Sequence, residues 1–343
     1  MKKVVIIGGG FAGAVAARNL ERDFDVTLID TKDYFEFTPS ILRTLVEPQH
    51  VKKIQVLHTH YLHKAHIVRD SIIKIKDSSV STNQQEFSYD YLIIASGSRY
   101  ETPIKETNRV VASRGQELRL YAQKLRHAQD VLIIGGGIVG VELAAEISTH
   151  YPEKEITLIH TKPELMERTP QKAQRYAKQW LEKRKVQLIF NERIIENESG
   201  VYKTRTGKKL HPDIAFLCTG IMPNYEHLAS YCSIELNSKN FLCVNEYLQV
   251  QGHKNIFAAG DINNIKEEKT AQSAEKQARL VVKNIYHLEQ GEPLLMYNPE
   301  PKPMVISLGK YNGIFIYRDF VFTGLIPGIM KTIIEWKTMR RYR

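Results

Sequence analysis

The residues with the clearest chemical meaning in this sequence are two sets of glycines at GxGxxG spacing. The first set lies in residues 8–13, after the β-branched run Lys3–Ile7 and before a helix pattern over residues 14–20. Such glycines permit a tight turn, let the backbone approach a pyrophosphate and allow a helix to pack closely on a strand. Asp30 ends the next apolar run, where a carboxylate accepts hydrogen bonds from a ribose. The pattern predicts a dinucleotide site with contacts from Gly8, Gly10, Phe11, Ala12, Gly13 and Asp30.

The second set of glycines repeats this pattern in residues 135–140, after the apolar run 131–134. A helix is predicted from Val141 to about Thr149, followed by a strand over residues 156–159. That strand ends in His160, Thr161 and Lys162, not in an acid, so the site is expected to accept NADPH as well as NADH. An ordinary solvated loop is the alternative interpretation of these residues. The predicted contacts are Gly135, Gly137, Ile138, Gly140, His160 and Lys162.

Each glycine set stands between a strand pattern and a helix pattern, so two βαβ units are needed to position them. A chain of 343 residues suits two such domains plus an appendage, at roughly 100–200 residues per domain. Hydrophobic residues at 43% and charged residues at 25% are ordinary for globular proteins, which excludes a disordered chain and an integral membrane protein. A formal charge of +10 predicts a basic surface suited to phosphates, nucleic acid or an anionic membrane.

The cysteines are few: Cys218, Cys232 and Cys243, without CxxC spacing. This pattern disfavours a disulfide framework and a thiolate metal centre, so no metal is expected and a reducing compartment is favoured. All three cysteines are interpreted as small buried apolar residues.

Three further segments carry a family resemblance. Residues 91–97 end in Ala-Ser-Gly, residues 216–220 end in Thr-Gly and residues 255–261 end in Gly-Asp. With both glycine sets in this order, the chain resembles the two-dinucleotide-binding-domain flavoproteins, the pyridine nucleotide-disulfide oxidoreductase superfamily. The resemblance implies an α/β fold of two Rossmann-like domains, glutathione-reductase-like, with the second inserted in the first and a small C-terminal α+β segment. It implies FAD at the first site and NADH or NADPH at the second, with further contacts from Ala95, Ser96, Gly97, Thr219, Gly220, Gly260 and Asp261.

Within this superfamily, the chain looks most similar to the quinone-reducing branch, which includes the type II NADH dehydrogenases and homologues of apoptosis-inducing factor. The matching segments are residues 151–160, 244–250 and 336–340. The disulfide-reducing branch places a pair of redox-active cysteines beside the flavin, and this sequence has no such pair. The resemblance therefore implies that electrons leave the flavin directly for an external acceptor.

Two residues are implied to act in catalysis. Residues 271–277 resemble the AQxAxxQ element that lines the quinone tunnel, so the Gln272 amide would meet a quinone carbonyl; a purely structural glutamine is the alternative. Glu142 is expected in the first turn of the second nucleotide helix, where it would either stabilise the helix or, by resemblance, face the nicotinamide carboxamide and the flavin edge. Contacts beside the flavin are implied for Thr38, Pro39, Thr270 and Ala271.

The predicted domains are an FAD-binding domain of residues 1–112 and 243–296, an NAD(P)H-binding domain of residues 113–242, and a C-terminal segment of residues 297–343. That segment is predicted to hold strands at residues 304–308 and 314–317 and an amphipathic helix at residues 325–343. The helix combines a row of apolar residues with five basic residues against one acid. The apolar row and its neighbouring aromatic residues are Ile326, Ile329, Met330, Ile333, Ile334, Trp336 and Tyr342.

Such a helix predicts peripheral attachment to the inner, cytoplasmic face of a membrane. Packing on its own protein or on a partner in a homodimer is the alternative, because amphipathic helices usually cover cores. The predicted function is FAD-dependent NAD(P)H:quinone oxidoreduction, with hydride passing to the flavin and two electrons and two protons passing on to a membrane quinone.

Two other functions share the same nucleotide sites. One is a soluble reductase of a small redox protein or a radical, and the other is a signalling flavoprotein, similar to apoptosis-inducing factor, whose basic surface binds nucleic acid. Nucleic acid is not the expected partner, because no aromatic-interleaved basic groove or nucleic-acid motif is apparent in the sequence.

Overall fold

The computed structural model describes residues 1–100, 114–198, 200–228, 231 and 234–343. The strands, numbered in chain order, are β1 Lys3–Ile7, β2 Asp25–Asp30, β3 Tyr34–Glu36, β4 Gln55–Leu57, β5 His66–Arg69, β6 Ile72–Ile75, β7 Ser79–Thr82, β8 Glu86–Ser88, β9 Tyr91–Ile94, β10 Ser98–Tyr100, β11 Asp130–Ile134, β12 Glu155–Ile159, β13 Gln187–Ile189, β14 Ile194–Glu198, β15 Val201–Thr204, β16 Lys209–Leu210, β17 Ile214–Leu217, β18 Ile221–Pro223, β19 Ile256–Ala258, β20 Met304–Ser307, β21 Gly313–Tyr317 and β22 Phe320–Gly324. The α-helices are α1 Phe11–Leu20, α2 Val51–Ile54, α3 Arg114–His127, α4 Ile138–His150, α5 Gln171–Glu182, α6 Ala271–Gln290 and α7 Leu325–Arg340. Short 3₁₀ helices span Thr38–Leu45, Pro48–His50, His58–His60 and Glu226–Leu228.

The first large sheet is parallel, in the order β19-β9-β1-β2-β5. Its central strand β1 is buried along four of its five residues, which is why it reads as a continuous β-branched run instead of an alternating pattern. Helix α1 packs on α6 against this sheet. Because β2 lies on one side of β1 and β9 on the other, the strand order reverses next to β1. Ligands bind at the carboxyl ends of the strands at such a switch point.

The second large sheet repeats this plan with the parallel order β13-β12-β11-β17. Its switch point lies between β11 and β17, and helix α4 follows β11 in the chain. Strands β10 and β18 pair in antiparallel fashion and so connect the segments that leave the two sheets. Small antiparallel sheets are formed by β3-β4, by β6-β7-β8 and by β14-β15-β16.

Both nucleotide helices begin three residues earlier than the sequence predicted. Helix α1 begins at Phe11 and α4 at Ile138, because in each unit the second glycine is the extended N-cap and the third glycine already lies in the first helical turn. The two βαβ units themselves and the α/β fold class are confirmed.

The C-terminal segment forms the antiparallel sheet β20-β21-β22, on which α7 packs. Strand β22 was not predicted, because its large apolar residues Phe320 and Phe322 point to the surface and give no buried pattern. Helix α7 begins at Leu325 as predicted and ends at Arg340, three residues before the predicted end.

None of the helices within the described ranges has the length and apolar character needed to cross a membrane. Strands of the first sheet come from both sides of the second sheet in the chain, which is what an inserted domain requires. The proposed boundary at residues 112 and 113 lies outside the described residues, as does Cys232, and the domain limits remain a prediction.

Candidate functional site

The first glycine turn is shaped so that only glycine fits at two of its positions. Gly8 has a φ of +95°, and a Cβ added there would lie 2.4 Å from the Ala95 carbonyl oxygen. A Cβ on Gly13 would lie 1.8 Å from the carbonyl oxygen of Gly8. Gly10, in contrast, faces open space at the start of α1 and has no side-chain cap. This leaves the first amides of α1 directed at a space next to the switch point, where an anionic phosphate group is favoured.

Asp30 closes this turn from the end of β2. Its Oδ2 accepts a hydrogen bond of 2.7 Å from the Gly9 amide, and its Oδ1 accepts one of 3.1 Å from the Lys32 amide. Burial raises the pKa of Asp30, but His58, Lys32 and the Gly9 amide outweigh it, so the net pKa lies below its usual value. The carboxylate therefore stays charged and can accept hydrogen bonds from a ribose.

His58 is a member of this site that the sequence did not reveal. Its ring is fully buried, its Nδ1 lies 2.6 Å from the Tyr61 hydroxyl, and its Nε2 lies 3.8 Å from Asp30 Oδ2. It comes from a short 3₁₀ helix distant in sequence from the glycines, and a lone histidine carries no spacing that could have pointed to it.

The other side of the first site is formed where β9 and β19 end. Ser96 and Gly97 follow β9, and the next hydroxyl, Ser98 Oγ, donates a hydrogen bond of 2.7 Å to Asp261 Oδ2. Burial raises the pKa of Asp261, although Ser98 and Lys269 act against that shift. The structure therefore brings the Ala-Ser-Gly and Gly-Asp segments together, and their contacts with FAD remain a prediction.

Helix α6 begins directly after this aspartate's loop. Thr270 is its N-cap and accepts a hydrogen bond of 3.2 Å from the Ser273 amide, so its hydroxyl holds the helix end. Gln277, one turn further on, is fully buried and accepts a hydrogen bond of 2.7 Å from the Gly260 amide. Gln272 lies on the exposed side of the first turn, where its Nε2 donates to the Pro303 carbonyl oxygen at 3.2 Å.

The second glycine turn has the same geometry as the first. A Cβ on Gly135 would lie 2.4 Å from the Cys218 carbonyl oxygen, and one on Gly140 would lie 1.9 Å from the Gly135 carbonyl oxygen. Gly137 faces open space, like Gly10. His160 takes the place of Asp30, since its Nδ1 accepts a hydrogen bond of 3.0 Å from the Gly136 amide. Lys162, Thr219 and Gly220 are exposed around this turn.

The prediction that Glu142 lies in the first turn of the second helix is wrong. Because α4 begins at Ile138, Glu142 is its fifth residue and its side chain is buried. Its Oε1 accepts a hydrogen bond of 2.7 Å from the Ser307 amide and another from Lys331 Nζ. Glu142 therefore joins the second nucleotide unit to the C-terminal segment, and stabilisation of the helix N-terminus is not its role.

Glu142 is part of a buried charged cluster. The cluster lies where helix α4, helix α7 and the 3₁₀ helices of residues 38–50 meet. Arg43 Nη2 lies 3.1 Å from Glu146 Oε1, and His50 Nε2 lies 3.0 Å from Glu335 Oε2. Burial raises the pKa of Glu335, but His50, with help from neighbouring groups, outweighs it and lowers the net pKa. The same junction encloses a small cavity between Pro39, Ser40, Glu142 and Lys331. The implied flavin-side residue Pro39 and the implied catalytic residue Glu142 thus meet at one cavity, which Gln272 does not line.

Helix α7 presents its apolar face to the surface and its polar face to the protein. Lys331 and Glu335 point inward to their ion pairs, whereas Ile326 is 57% exposed and Trp336 is 60% exposed. The expectation that Tyr342 belongs to the exposed aromatic residues is wrong. Tyr342 is only 3% exposed, because its ring stacks on Phe35 at a centroid distance of 4.1 Å. Residues with exposed apolar side chains on α7 and the adjoining β22, named here the outward face, are Phe320, Phe322, Leu325, Ile326, Ile329, Ile333, Ile334 and Trp336.

Comparison with known proteins places these features in a family. The sequence profile of the pyridine nucleotide-disulphide oxidoreductases matches residues 2–278. Ferroptosis suppressor protein 1 of Xenopus tropicalis is 33% identical over 344 residues, which cover 93% of this chain and 91% of that protein.

Two solved structures share the fold over nearly the whole chain. The sulfide:quinone oxidoreductase of Aquifex aeolicus superposes with a TM-score of 0.84 at 21% identity, covering 100% of this chain and 92% of that one. NDH2 of Plasmodium falciparum in complex with NADH superposes with a TM-score of 0.82 at 16% identity, covering 99% of this chain and 96% of that one.

Proposed function

The chain belongs to the pyridine nucleotide-disulphide oxidoreductase family, and from this premise we propose that it transfers electrons from NADH or NADPH, by way of FAD, to a quinone at a membrane surface. As a member of this family, the protein is an FAD-containing oxidoreductase that uses a pyridine nucleotide. The quinone, the membrane and the roles of individual residues are the proposal.

The residues of the first site fit FAD. The tight turn at Gly8 and Gly13 and the open position at Gly10 make the close backbone approach that a pyrophosphate needs, and charged Asp30 provides the acceptor for a ribose. Asp261 and the start of α6 would lie towards the ribityl chain and the ring. When bound, FAD supplies an acceptor for hydride from the nicotinamide and a two-electron donor for the second substrate.

The cysteines do not support the disulfide chemistry in the family's name. Cys218 is buried, and this burial raises the pKa of its thiol to about 12. Cys243 is half-buried, and burial together with Glu235 raises the pKa of its thiol as well. Since a thiolate is needed for thiol–disulfide exchange, neither of these two residues is suited to it. We therefore propose that electrons pass directly to an external acceptor.

Glu142 remains our candidate for orienting the nicotinamide. Its carboxylate is held by Ser307 and Lys331 next to the cavity that Pro39 lines, on the helix that starts at the second glycine turn. Both of these hydrogen bonds are to Oε1, and the other carboxylate oxygen can accept a hydrogen bond from a carboxamide. The ion pair with Lys331 fixes the position of this carboxylate beside the cavity.

The outward face supports a membrane quinone as the electron acceptor. Isolated surface apolar residues are normal, but a continuous row on α7 and β22 indicates an interaction site. Rotating α7 to bury this row would break the ion pair between Lys331 and Glu142. Lys337 and Arg340 are exposed on the same helix and suit an anionic leaflet. One structural relative is a sulfide:quinone oxidoreductase, which supports a quinone as the class of acceptor.

The experiment compares two acceptors with the same FAD-loaded protein. NADH oxidation is measured with a long-chain quinone in anionic liposomes and with a water-soluble short-chain quinone. We expect turnover with both, and faster turnover with the long-chain quinone in anionic than in zwitterionic liposomes. A protein that is reduced by NADH but reoxidised by neither quinone would contradict the proposed acceptor.

A further inference from the structure

The second nucleotide turn has a histidine where the first turn has a carboxylate that can accept a hydrogen bond from a ribose. In the first unit, the Asp30 carboxylate accepts the Gly9 amide and has further acceptor capacity for a ribose hydroxyl. In the second unit, His160 Nδ1 accepts the corresponding Gly136 amide at 3.0 Å. A neutral imidazole has a single acceptor nitrogen, so His160 Nε2 carries a hydrogen and cannot accept a hydrogen bond from a ribose.

The side chain of Glu167 places a carboxylate next to this nitrogen. Its Oε2 lies 3.4 Å from His160 Nε2, and its side chain is 42% exposed. The carboxylate can therefore accept the hydrogen of His160 and still meet a ligand from solvent. Glu167 is seven residues beyond His160 in the sequence, but its side chain lies next to that residue, which directly follows β12.

The backbone holds Glu167 at this place. The amide of the preceding residue, Met166, donates a hydrogen bond of 2.9 Å to the carbonyl oxygen of Gly136, the middle glycine of the turn. Met166 itself has a φ of 50°, and its side chain is buried together with that of Leu165. The loop that carries Glu167 is thus attached to the same glycine whose amide His160 accepts.

We propose that Glu167, positioned by His160, accepts a hydrogen bond from the 2′-hydroxyl of the adenosine ribose and makes the second site prefer NADH to NADPH. A 2′-phosphate at the same place would meet the carboxylate at hydrogen-bond distance and be repelled. The inference rests on the proposed use of the second turn for a pyridine nucleotide but does not depend on the quinone.

The test measures binding, without turnover. Calorimetry on the FAD-loaded protein compares ADP-ribose with 2′-phospho-ADP-ribose for the wild type, Glu167→Gln and the matched control Glu164→Gln, which neutralises another acid of the same loop. Glutamine keeps a carbonyl acceptor for His160 and removes only the charge. Thermal unfolding of each variant establishes that it is folded.

The wild type and Glu164→Gln are expected to bind ADP-ribose at least about tenfold more tightly than its 2′-phosphate, the usual effect of one hydrogen bond to a charged group. In Glu167→Gln, ADP-ribose should bind about tenfold more weakly and the 2′-phosphate more tightly. Equal responses of the two variants, or a wild type that prefers the 2′-phosphate, would overturn the assignment. If neither ligand binds the wild type, the nucleotide role of the second turn fails as well.

Discussion

The glycines of the second turn differ in what an added methyl group would meet. A Cβ on Gly140 would lie 1.9 Å from a backbone oxygen, whereas one on Gly137 would enter open space. We expect Gly140→Ala to destabilise the protein by about 1–3 kcal/mol, as overpacking does, and Gly137→Ala to leave the unfolding temperature unchanged. Both should weaken NADH binding, Gly137→Ala because the methyl group takes the place of the pyrophosphate. Thermal unfolding and NADH titration check this, and equal unfolding temperatures for the two variants would contradict it.

Gln272 can be tested through the two halves of the reaction. If its amide meets the quinone, Gln272→Leu should slow flavin reoxidation by quinone about tenfold, the effect of one lost hydrogen bond, and leave flavin reduction by NADH unchanged. Stopped-flow absorbance resolves the two steps. Gln290→Leu, at the other end of the same helix α6, is the matched control. Slowing of both steps would indicate that Gln272 supports the structure through its bond to Pro303.

Single residues also show what the sequence could and could not predict at the sites. The glycines and Asp30 were predictable, because a turn and the strand after it are local and require particular residue types. Glu167 and His58 were not, since each reaches its site through tertiary contacts from a segment with no characteristic residue spacing. The predicted position of Glu142 within its helix is wrong because helix propensity places the start of α4 too late. The helix in fact begins directly after the extended residue Gly137.

At the level of elements, ion pairs hold α7 to the protein. The contribution of the Lys331–Glu142 pair to stability can be measured by substitution. The side chains of Lys331 and Glu142 are 15% and 10% exposed. Removing one partner leaves a buried charge, so Lys331→Met should destabilise the protein by about 3 kcal/mol. Adding Glu142→Gln should recover most of that loss, because no charge is then unpaired.

Denaturant unfolding of both single variants and the double variant gives the coupling between the two residues. Lys337→Met, an exposed lysine on the same helix, is expected to change the unfolding free energy by less than about 0.5 kcal/mol. Additive effects of the two single substitutions would show that the pair does not anchor the helix.

The existence of α7 was predictable, but the direction of its faces was not. A row of isoleucines on one side of a helix normally packs inward, and here it points outward because Lys331 and Glu335 find buried partners on distant segments. The same limit applies to Tyr342, whose partner Phe35 lies at the opposite end of the chain. The periodicity of a sequence shows which apolar residues share one face of a helix. It does not show whether that face packs against the protein or lies at the surface.

For the whole molecule, the outward face is the feature to test. Truncating the chain before α7 would be a poor test, because it would also remove Tyr342 and both inward ion pairs. We expect the triple variant Ile326→Ser, Ile329→Ser, Ile333→Ser to remain folded with FAD bound and to lose sedimentation with anionic liposomes. Activity should fall with long-chain quinone and persist with a water-soluble one.

The control replaces exposed isoleucines elsewhere, with Ile73→Ser and Ile195→Ser, which are 52% and 57% exposed. This control variant should bind liposomes as tightly as the wild type does. Raising the salt concentration should weaken liposome binding by the control variant and by the wild type. Unchanged sedimentation of the triple variant would rule out the outward face as the membrane contact.

The contact between Tyr342 and Phe35 also bears on how the chain folds as it is synthesised. The second sheet consists of strands that follow one another within residues 130–217, so it can be completed while the rest of the chain is still being made. The first sheet must wait for β19, and its core must wait for a ring close to the carboxyl terminus. Since nearby contacts form sooner than distant ones, we expect the second sheet to form before the first on the ribosome. A chain shortened before residue 342 would lack the ring that stacks on Phe35 in the core beside the first sheet.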